Sequence, residues 1–570
     1  MGKFGALISD AFKNKSCSNV VIPSLTWYDY FLNLFYQDGV TVNDPSNYNL
    51  VEMPQWPPVP PEEIKFLISQ LKSGKASGPD LIPPELLKLN PEWWAKPLAA
   101  LFTRVDSTSQ MPPSGLNAII VPIYKKGDPK SPANYRPISL LSVVGKLYAR
   151  HLLNKLTAWM TESAVLGPEQ VGFRQGKSTL DHCAVLTHLI TKYNGRYGKK
   201  LYAAFLDLKG AFDSIPRDLL WDKLALMKVD DRLLYLLRKL YSQTSCQVRY
   251  TRLGNLTPKI ITNKGVKQGC VLAPFLFNLF LNDLVPTLSS IYGHCPKLGQ
   301  LHLPALLYAD DSVLLSCSSI GLKRLLYGCL EYCKVNKLLL NYEKSKILVF
   351  SKAWKPQIWN IGGNMLEQVK HFKYLGLHFQ YNSSWVTHRK YTINTAKNSA
   401  RAVIRFFYTK GDQYVPAALR VFNAKSCSQL LYGIPIWINA LNQDLEDMQS
   451  NFLRKILGVP NCVPYAALCL ELNQMRLATK AWLITIKFWL HLLFSLETTS
   501  LTHLMLTENQ SNWIEMVEYK IRTIGISLDT LYQASSRSAY RKIKRRILDI
   551  ELQELTSAAD KTCSPLSIGI

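Results

Sequence analysis

The sequence predicts an α+β chain built as several packed subdomains, and three observations predict it. Two apolar runs within residues 303–316 flank Ala309-Asp310-Asp311 and read as a β-hairpin with the acids at its turn, where Asp is at home. A further apolar run, 201–206, ends in Asp207 and reads as another strand. Elsewhere apolar residues recur at helical spacing, as at Ile64, Leu67, Ile68 and Leu71 and again through 386–408.

The acids set the chemistry to look for. Adjacent carboxylates repel, and a hard divalent cation with oxygen ligands removes that cost. A turn that merely contains Asp-Asp is the ordinary alternative. Asp230-Asp231, ahead of the Leu-rich stretch 233–237, is such a case and reads as a helix start. If the strand ending in Asp207 pairs beside the hairpin, Asp207 meets Asp310 and Asp311. Three carboxylates from neighbouring strands can hold two Mg²⁺ ions about 3.5–4 Å apart, the arrangement of phosphoryl and nucleotidyl transfer. Mn²⁺ is the expected substitute.

These residues carry a resemblance. Tyr308-Ala309-Asp310-Asp311 resembles the signature turn of reverse transcriptases. The stretch from Asp207 to Asp213 is similar to their first palm motif in the form used by non-LTR (LINE-type) retrotransposons. Gly265-Val266-Lys267-Gln268-Gly269-Cys270-Val271-Leu272-Ala273-Pro274 is similar to their second palm motif, with Val271 and Ala273 where the family often has Pro and Ser. The resemblance covers residues 60 to 460 in family order. It implies a right-hand polymerase with fingers, palm and thumb that copies an RNA template into DNA from a DNA primer or target with dNTPs. It implies Asp207, Asp310 and Asp311 as catalytic and metal-holding residues.

Composition agrees with a nucleic-acid partner. The 570 residues are 47% apolar, which excludes wholesale disorder and leaves room for several cores. Lys and Arg number 67 against 41 Asp and Glu, a net charge of +26 that suits a polyanion. The twelve cysteines show no framework spacing. Cys329 and Cys333, one helical turn apart, read as core residues, and Cys462 and Cys469 lack a nearby His pair, so neither a zinc module nor a disulfide framework is expected. Reduced thiols and no visible leader in residues 1–20 point to nucleus and cytoplasm, as a ribonucleoprotein. The apolar stretch 482–496 is short and contains Lys487 and His491, so a buried helix is expected and no membrane partner.

In chain order, residues 1–60 read as an N-terminal remnant, with an amphipathic helix at 27–35 and a stiff Pro-rich linker at 54–61. LINE-type proteins commonly carry an endonuclease ahead of the polymerase. Sixty residues are too few for one, so a chain without it and without autonomous target cleavage is expected. Pro61-Glu62-Glu63 suits the first turn of a helix that opens a helical extension over 61–115. Ser77-Gly78-Pro79-Asp80 resembles a loop linked in the family to template contact; a flexible surface loop is the alternative.

Residues 116–200 are expected to form the fingers. Strands at 117–124 and from 134 make a hairpin whose Lys125 and Arg136 can clamp a triphosphate, Arg136 bidentately and Lys125 as a point charge, while Lys126 is solvated. Gly176-Lys177-Ser178 is no phosphate loop, since the first glycine is missing and no strand precedes it. The preceding Gln170 to Arg174 matches the family's Gln-Val-Gly-Phe-Arg segment, which implies template contact by Gln170 and Arg174. A helix is expected over 178–193.

Residues 201–380 are the expected palm. Resemblance puts Phe212 beside the sugar of the incoming nucleotide, where its ring would exclude a ribose 2′-hydroxyl; a core aromatic is the alternative. Asp213 is expected to cap the helix that follows. Gln268 and Gly269 can touch the nascent pair, glycine allowing close backbone approach, and a helix is expected over 275–284. A palm helix is expected over 322–338. Lys344, with Lys346 as the alternative, matches the lysine that protonates leaving pyrophosphate. Tyr374, with Phe372, matches the primer grip or packs the palm–thumb joint. Residues 381–460 are the expected thumb, with Lys390, Lys397, Arg401 and Arg405 on one helix face as a phosphate track.

Residues 461–570 read as a helical C-terminal extension with a basic run at 541–546, an RNA-binding face or a nuclear address, and a disordered last ten residues. The expected function is therefore RNA-directed DNA polymerisation by two-metal nucleotidyl transfer. The alternative is a truncated retroelement relic that only binds nucleic acid.

Overall fold

The run expected to end in Asp207 is buried at all six positions, as befits a central strand covered on both faces. In the computed structural model, residues 22–39, 55–196, 199–242, 244–251, 254–288, 294–408, 411–495, 499–508 and 512–563 are described. The readings made for residues 1–20 and 564–570, and most of the segment before the linker, lie outside them. In chain order the strands are β1 (Asn117–Tyr124), β2 (Tyr135–Leu141), β3 (Leu201–Leu206), β4 (Ser245–Val248), β5 (Ile260–Ile261), β6 (Lys297–Leu298), β7 (Leu301–His302), β8 (Ala305–Tyr308), β9 (Asp311–Ser316), β10 (Lys346–Phe350), β11 (Trp359–Ile361), β12 (Asn364–Gln368), β13 (His371–Tyr374) and β14 (Leu377–Gln380).

The main sheet has the order β11-β12-β10-β3-β9-β8, so β3 lies inside it with β9 and β10 as antiparallel neighbours. Side chains on β3 alternate between two cores, as the two-residue period of a strand requires. Tyr202, Ala204 and Leu206 join one core with Ala305, Leu307 and Leu314. Leu201, Ala203 and Phe205 join the other with Leu306, Val313 and Leu315. Each large apolar side chain so buried contributes about 1.5–3 kcal/mol. The first core continues into the N-terminal helices and the helix Ser319–Val335, the second into the helices Thr179–Ile190 and Val386–Phe407.

A second sheet, β2-β1-β4-β5, joins two strands from before β3 with two from after it and carries the predicted Lys125–Arg136 hairpin. The N-terminal helix Ser24–Phe35 buries Trp27, Phe31 and Phe35, as its spacing predicts. Helices Pro61–Ser69, Pro84–Leu89 and Pro91–Thr108 each start on Pro, whose missing N–H costs nothing at that position. The loop at 77–80 is not a free surface loop. Gly78 is buried, and a Cβ there would come within 2.4 Å of the Leu141–Ser142 backbone. Only glycine lets this loop lie against the end of β2.

Several expected boundaries move. The helix expected over 178–193 ends at Ile190 and continues as a wider π-turn, Thr191–Arg196. The helix expected over 275–284 is Ala273–Phe280, with a separate turn at Leu284–Thr287. The apolar pattern runs on through this break because both pieces pack on the same core. Residues 482–493 of the apolar stretch belong to the helix Leu477–Leu493, whose Leu483, Ile486, Trp489 and Leu490 are buried. No helix among the described residues is long and apolar enough to cross a membrane. Cys329 and Cys333 are buried free thiols.

A buried polar cluster fastens the N-terminal helices to the helix Val143–Glu162. His151, 1% exposed, bonds Glu63 at 2.8 Å through Nδ1 and Asp106 at 3.1 Å through Nε2. Tyr148 donates to Asp106 at 2.9 Å, and Arg232 donates to the Asp106 carbonyl at 2.7 Å. Burial pushes the His151 pKa down, but its bonds to Asp106 and Glu63 outweigh burial and raise it above 6.5. A cation held this way stabilises the fold fully below the unfolded pKa of about 6.5 and loses that contribution as pH rises through the raised folded value. The melting temperature of the wild-type chain, relative to His151→Gln, should therefore be highest below pH 6.5 and decline above it. A difference that is flat with pH from 5.5 to 8.5 would contradict this.

Candidate active site

Asp207 leaves the end of β3 directly. The register pairs Leu206 with Ser312 and Tyr308 with Asp311, so the hairpin acids and Asp207 share one end of the main sheet. The turn between β8 and β9 is tight, with Ala309 at φ 55°, and a positive φ is what two-residue hairpin turns demand. An alanine held there costs roughly 1–2 kcal/mol. The cost is met by a segment that reads as a loop in the sequence. Val171 N donates to Leu307 O at 3.1 Å, and Gln170 Oε1 accepts from Ala309 N at 3.1 Å and Gly172 N at 2.9 Å. A Cβ on Gly172 would come within 2.4 Å of Ala309 N, so glycine is required for this approach. Gln170, expected at the template, thus lies beneath the acidic turn at 3% exposure. Arg174 is half-buried and donates to the carbonyls of Gly167 and Gln170, which shapes the same segment.

The carboxylates crowd one another. Burial and then the charge of Asp207 raise the Asp310 pKa, against the pull of Lys125 and Arg136. Desolvation and the charges of Asp310 and Asp207 push Asp311 up to about 6. Asp207 Oδ2 accepts from Asn341 Nδ2 at 2.9 Å and from Lys344 Nζ at 3.0 Å, and Ser345 Oγ accepts from Asp207 N at 3.1 Å. Lys346, the alternative to Lys344, is turned away and pairs with Glu367 at 2.9 Å.

Magnitudes show what the cluster lacks. Two unit charges about 4 Å apart near a protein surface repel by roughly 4 kcal/mol. A solvent-exposed ion pair such as Lys344–Asp207, with the lysine side chain 49% exposed, returns only about 0–1 kcal/mol. Three carboxylates are the donors a hard divalent cation prefers, and the unrelieved repulsion fits one. The arrangement is not a closed cage, since among the described residues no group of three or more His, Cys, Asp and Glu is set to hold a metal ion.

The cations of the β1–β2 hairpin face this cluster. Arg136 lies opposite Ile123 on the β1–β2 ladder, and Lys125 N donates to Asn134 O at 2.9 Å, so the hairpin geometry fixes both cations. Lys125 and Arg136 are exposed, and Lys126 is exposed beside them. Lys125 is close enough for its pKa to be lowered by desolvation and by Arg136 and Lys344, and raised back by Asp207.

Two further segments with predicted site residues, around Phe212-Asp213 and around Gln268, pack together. Phe212 is half-buried and stacks on Phe277 at 4.7 Å. Asp213 does not cap the following helix, whose N-cap is Pro216 without a side-chain bond. Asp213 is buried instead, and its Oδ2 accepts from Gln268 Nε2 at 2.8 Å while Oδ1 has no partner. An ionised carboxylate can only accept, so it takes the amide N–H₂ of Gln268 and leaves Gln268 Oε1 free to accept from a neighbour. Gln268 O in turn accepts from Ser139 N at 2.8 Å, which ties Gln268-Gly269 to β2.

Burial pushes the Asp213 pKa up to about 7. Below that pH the protonated acid can donate, and the reason for one amide orientation disappears. The Michaelis constant for nucleotide should inflect near pH 7 in the wild type and lose that inflection in Asp213→Asn. Superimposable profiles would remove Asp213 from any role at Gln268.

Tyr374 is 3% exposed, lies 5.3 Å from the Phe205 ring, and meets His182 Nδ1 through its hydroxyl at 3.4 Å. With Phe372, stacked on Phe205 at 4.4 Å, it anchors the β13–β14 hairpin under β3. Lys390, Arg401 and Arg405 are exposed and Lys397 half-buried along the helix Val386–Phe407, opposite its buried Ile393, Ala396, Ala400 and Val403.

Sequence signals existed for the acids, the cations and Phe212. Asn341, Ser345 and the Asp213–Gln268 bond were missed. Asn341 lies three residues before Lys344, which is the one local hint, and the bond spans 55 residues and leaves no local mark.

Comparison with known proteins gives a consistent set. Residues 123–379 match the family model described as reverse transcriptase (RNA-dependent DNA polymerase). The chain is 30% identical over 430 residues to a probable RNA-directed DNA polymerase from transposon BS of Drosophila melanogaster, a match covering 73% of this chain and 46% of that one. It is 26% identical to the RNA-directed DNA polymerase from mobile element jockey of Drosophila funebris, covering 71% and 44%. Among solved structures, apo telomerase from Candida tropicalis is similar at a TM-score of 0.36 and 12% identity, covering 73% of this chain and 74% of that one. The chain spans less than half the length of the two transposon relatives.

Proposed function

Residues 123–379 of this chain belong to the reverse transcriptases, in the form carried by non-LTR (LINE-type) retrotransposons, and from that premise we propose that the chain extends a primer 3′-hydroxyl with dNTPs on an RNA template. The observation that carries the reading is the meeting of Asp207, Asp310 and Asp311 at one end of the main sheet, facing Lys125 and Arg136.

Asp207, Asp310 and Asp311 would hold divalent cations, Mg²⁺ first and Mn²⁺ as substitute. Bound there, the cations would lower the pKa of the primer hydroxyl and offset the charge that builds on the triphosphate. The protein supplies position and charge. Gln170 and Gly172 hold the acidic turn in its tight conformation. Lys125 and Arg136 neutralise and orient the triphosphate, Arg136 through paired N–H groups. Lys344, bonded to Asp207 with its side chain 49% exposed, is the group that would give a proton to the departing pyrophosphate. Gln268, fixed by Asp213, presents an acceptor toward the nascent pair. The exposed cations of the helix Val386–Phe407 would follow the phosphates of the template–primer duplex. Tyr374 and Phe372 serve this indirectly, by anchoring the β13–β14 hairpin.

The test is to supply an RNA of defined sequence with an annealed DNA primer, four dNTPs and Mg²⁺, and to sequence the product. DNA complementary to the RNA supports the reading. RNA that is bound in a salt-dependent way but never copied leaves a nucleic-acid-binding relic.

A further inference from the structure

The C-terminal helix Ser536–Cys563 is divided by charge. Between residues 536 and 548 it carries Arg537, Arg541, Lys542, Lys544, Arg545 and Arg546 and no acid. Its acids come later, and two of them, Glu551 and Glu554, are pinned to Arg476. Ala539, Ile543 and Ile547 bury the inner stripe of the basic half, so its remaining face is set by packing toward solvent. Arg541, Lys542, Lys544 and Arg545 are exposed.

This face borders a cleft. About 640 Å³ opens between the basic half of this helix, the helix Leu477–Leu493 and the π-turn Phe422–Cys427. Tyr540 and Lys544, one helical turn apart, form one wall, and Lys480 and Asn423, joined at 2.9 Å, form another. Met475 and Ile484 supply apolar surface, the latter 38% exposed. The cleft is open to solvent along its length rather than enclosed. Its chemistry is one aromatic face, an amide and two ammonium groups, opening onto further cations. An aromatic face suits an unpaired base, and cations spaced along a helix suit the phosphates that follow it. A protein partner would need acidic groups to match the face but would have no use for the aromatic–amide cleft.

We propose that this cleft and the basic half-helix form a single-stranded nucleic-acid site distinct from the polymerase centre, with a base stacked on Tyr540 and its phosphates on Lys480, Lys544, Arg541 and Arg545. The site goes beyond the polymerase reading and its test needs no catalysis, so the two fail separately.

The test measures binding of the full chain to a fluorescent single-stranded RNA by anisotropy across a salt series. The combined variant Arg541→Glu, Lys544→Glu, Arg545→Glu should weaken binding at least about tenfold and lower the slope of log affinity against log salt by about 2, at roughly 0.7 per phosphate lost. Tyr540→Ala should weaken binding about fivefold to a hundredfold with the slope unchanged, and Tyr540→Phe should restore it. Single-stranded DNA of the same length separates the two sources of the same chemistry, and a duplex should gain nothing from Tyr540. Extension of a short pre-annealed primer–template should survive in all three variants. Unchanged affinity in either the charge-reversed or the Tyr540→Ala variant overturns the site. So does a charge-reversed variant whose only defect in cells is loss from the nucleus.

Discussion

Asp310→Asn should reduce RNA-templated extension by at least about 10³-fold, the scale on which removal of one preorganised charge from an active site is felt. The same change should not lower the melting temperature. The pKa values of both Asp310 and Asp311 are raised above 3.8, that of Asp310 by burial and the charge of Asp207, that of Asp311 by burial and the charges of Asp310 and Asp207, so the native state binds protons more tightly than the unfolded chain. Stability then falls as pH rises from the unfolded value through the raised one, and at neutral pH the charge is a net cost. Asn keeps the shape of the turn, its Ala309 conformation and the Gln170 clamp, and removes that charge. A variant that is at once inactive and at least as stable as the wild type has lost function without losing structure. If Asp310→Asn unfolds readily, the carboxylate is a structural group and its place at the centre of the site is lost.

Phe212→Val should admit ribonucleotides. The Phe212 ring cannot swing away freely, because it stacks on Phe277 and its backbone carbonyl accepts from Val266 N at 2.8 Å. A ribose 2′-hydroxyl pressed against a fixed ring is a case of overpacking, which costs about 1–3 kcal/mol. Relief of that clash should raise the efficiency of rNTP insertion relative to dNTP by about 10- to 100-fold. The measurement is the ratio of kcat/KM for one rNTP and its dNTP on one template. Extension with dNTPs should persist, since no charged group is touched, while the melting temperature drops with the lost ring contacts. An unchanged ratio together with a lower melting temperature would make Phe212 a core aromatic and nothing more.

The three strands that deliver the acids were legible because their signals are local. An apolar run that ends in Asp, and two that meet at Asp-Asp, state their geometry within a few residues. In the fold, β3 divides its side chains between two cores, as the two-residue period of a strand requires. The fingers hairpin was legible for the same reason, with Lys125 and Arg136 at the ends of strands where the expected pairing put them. What stayed hidden depends on contacts across long stretches of chain. Gln170 carries no mark that its amide oxygen will hold a turn 139 residues away. Asp213 looks like a cap in its own neighbourhood, and only packing against Gln268 shows otherwise. The apolar period through residues 273–287 could not report its break at Leu281, because packing on one core is indifferent to a change of helix axis.

The family's usual Pro and Ser are replaced at Val271 and Ala273. Ala273 opens the helix Ala273–Phe280, with Pro274 in its first turn, so the substitution leaves the helix start intact.

The most direct measurement is single-nucleotide insertion on a primer annealed to RNA, with Mg²⁺, for the wild type and Asp310→Asn in parallel. The wild type should add only the dNTP complementary to the next template base, and the variant should add none. Insertion that ignores the template, or that persists undiminished in Asp310→Asn, would contradict a polymerase centre built on Asp207, Asp310 and Asp311.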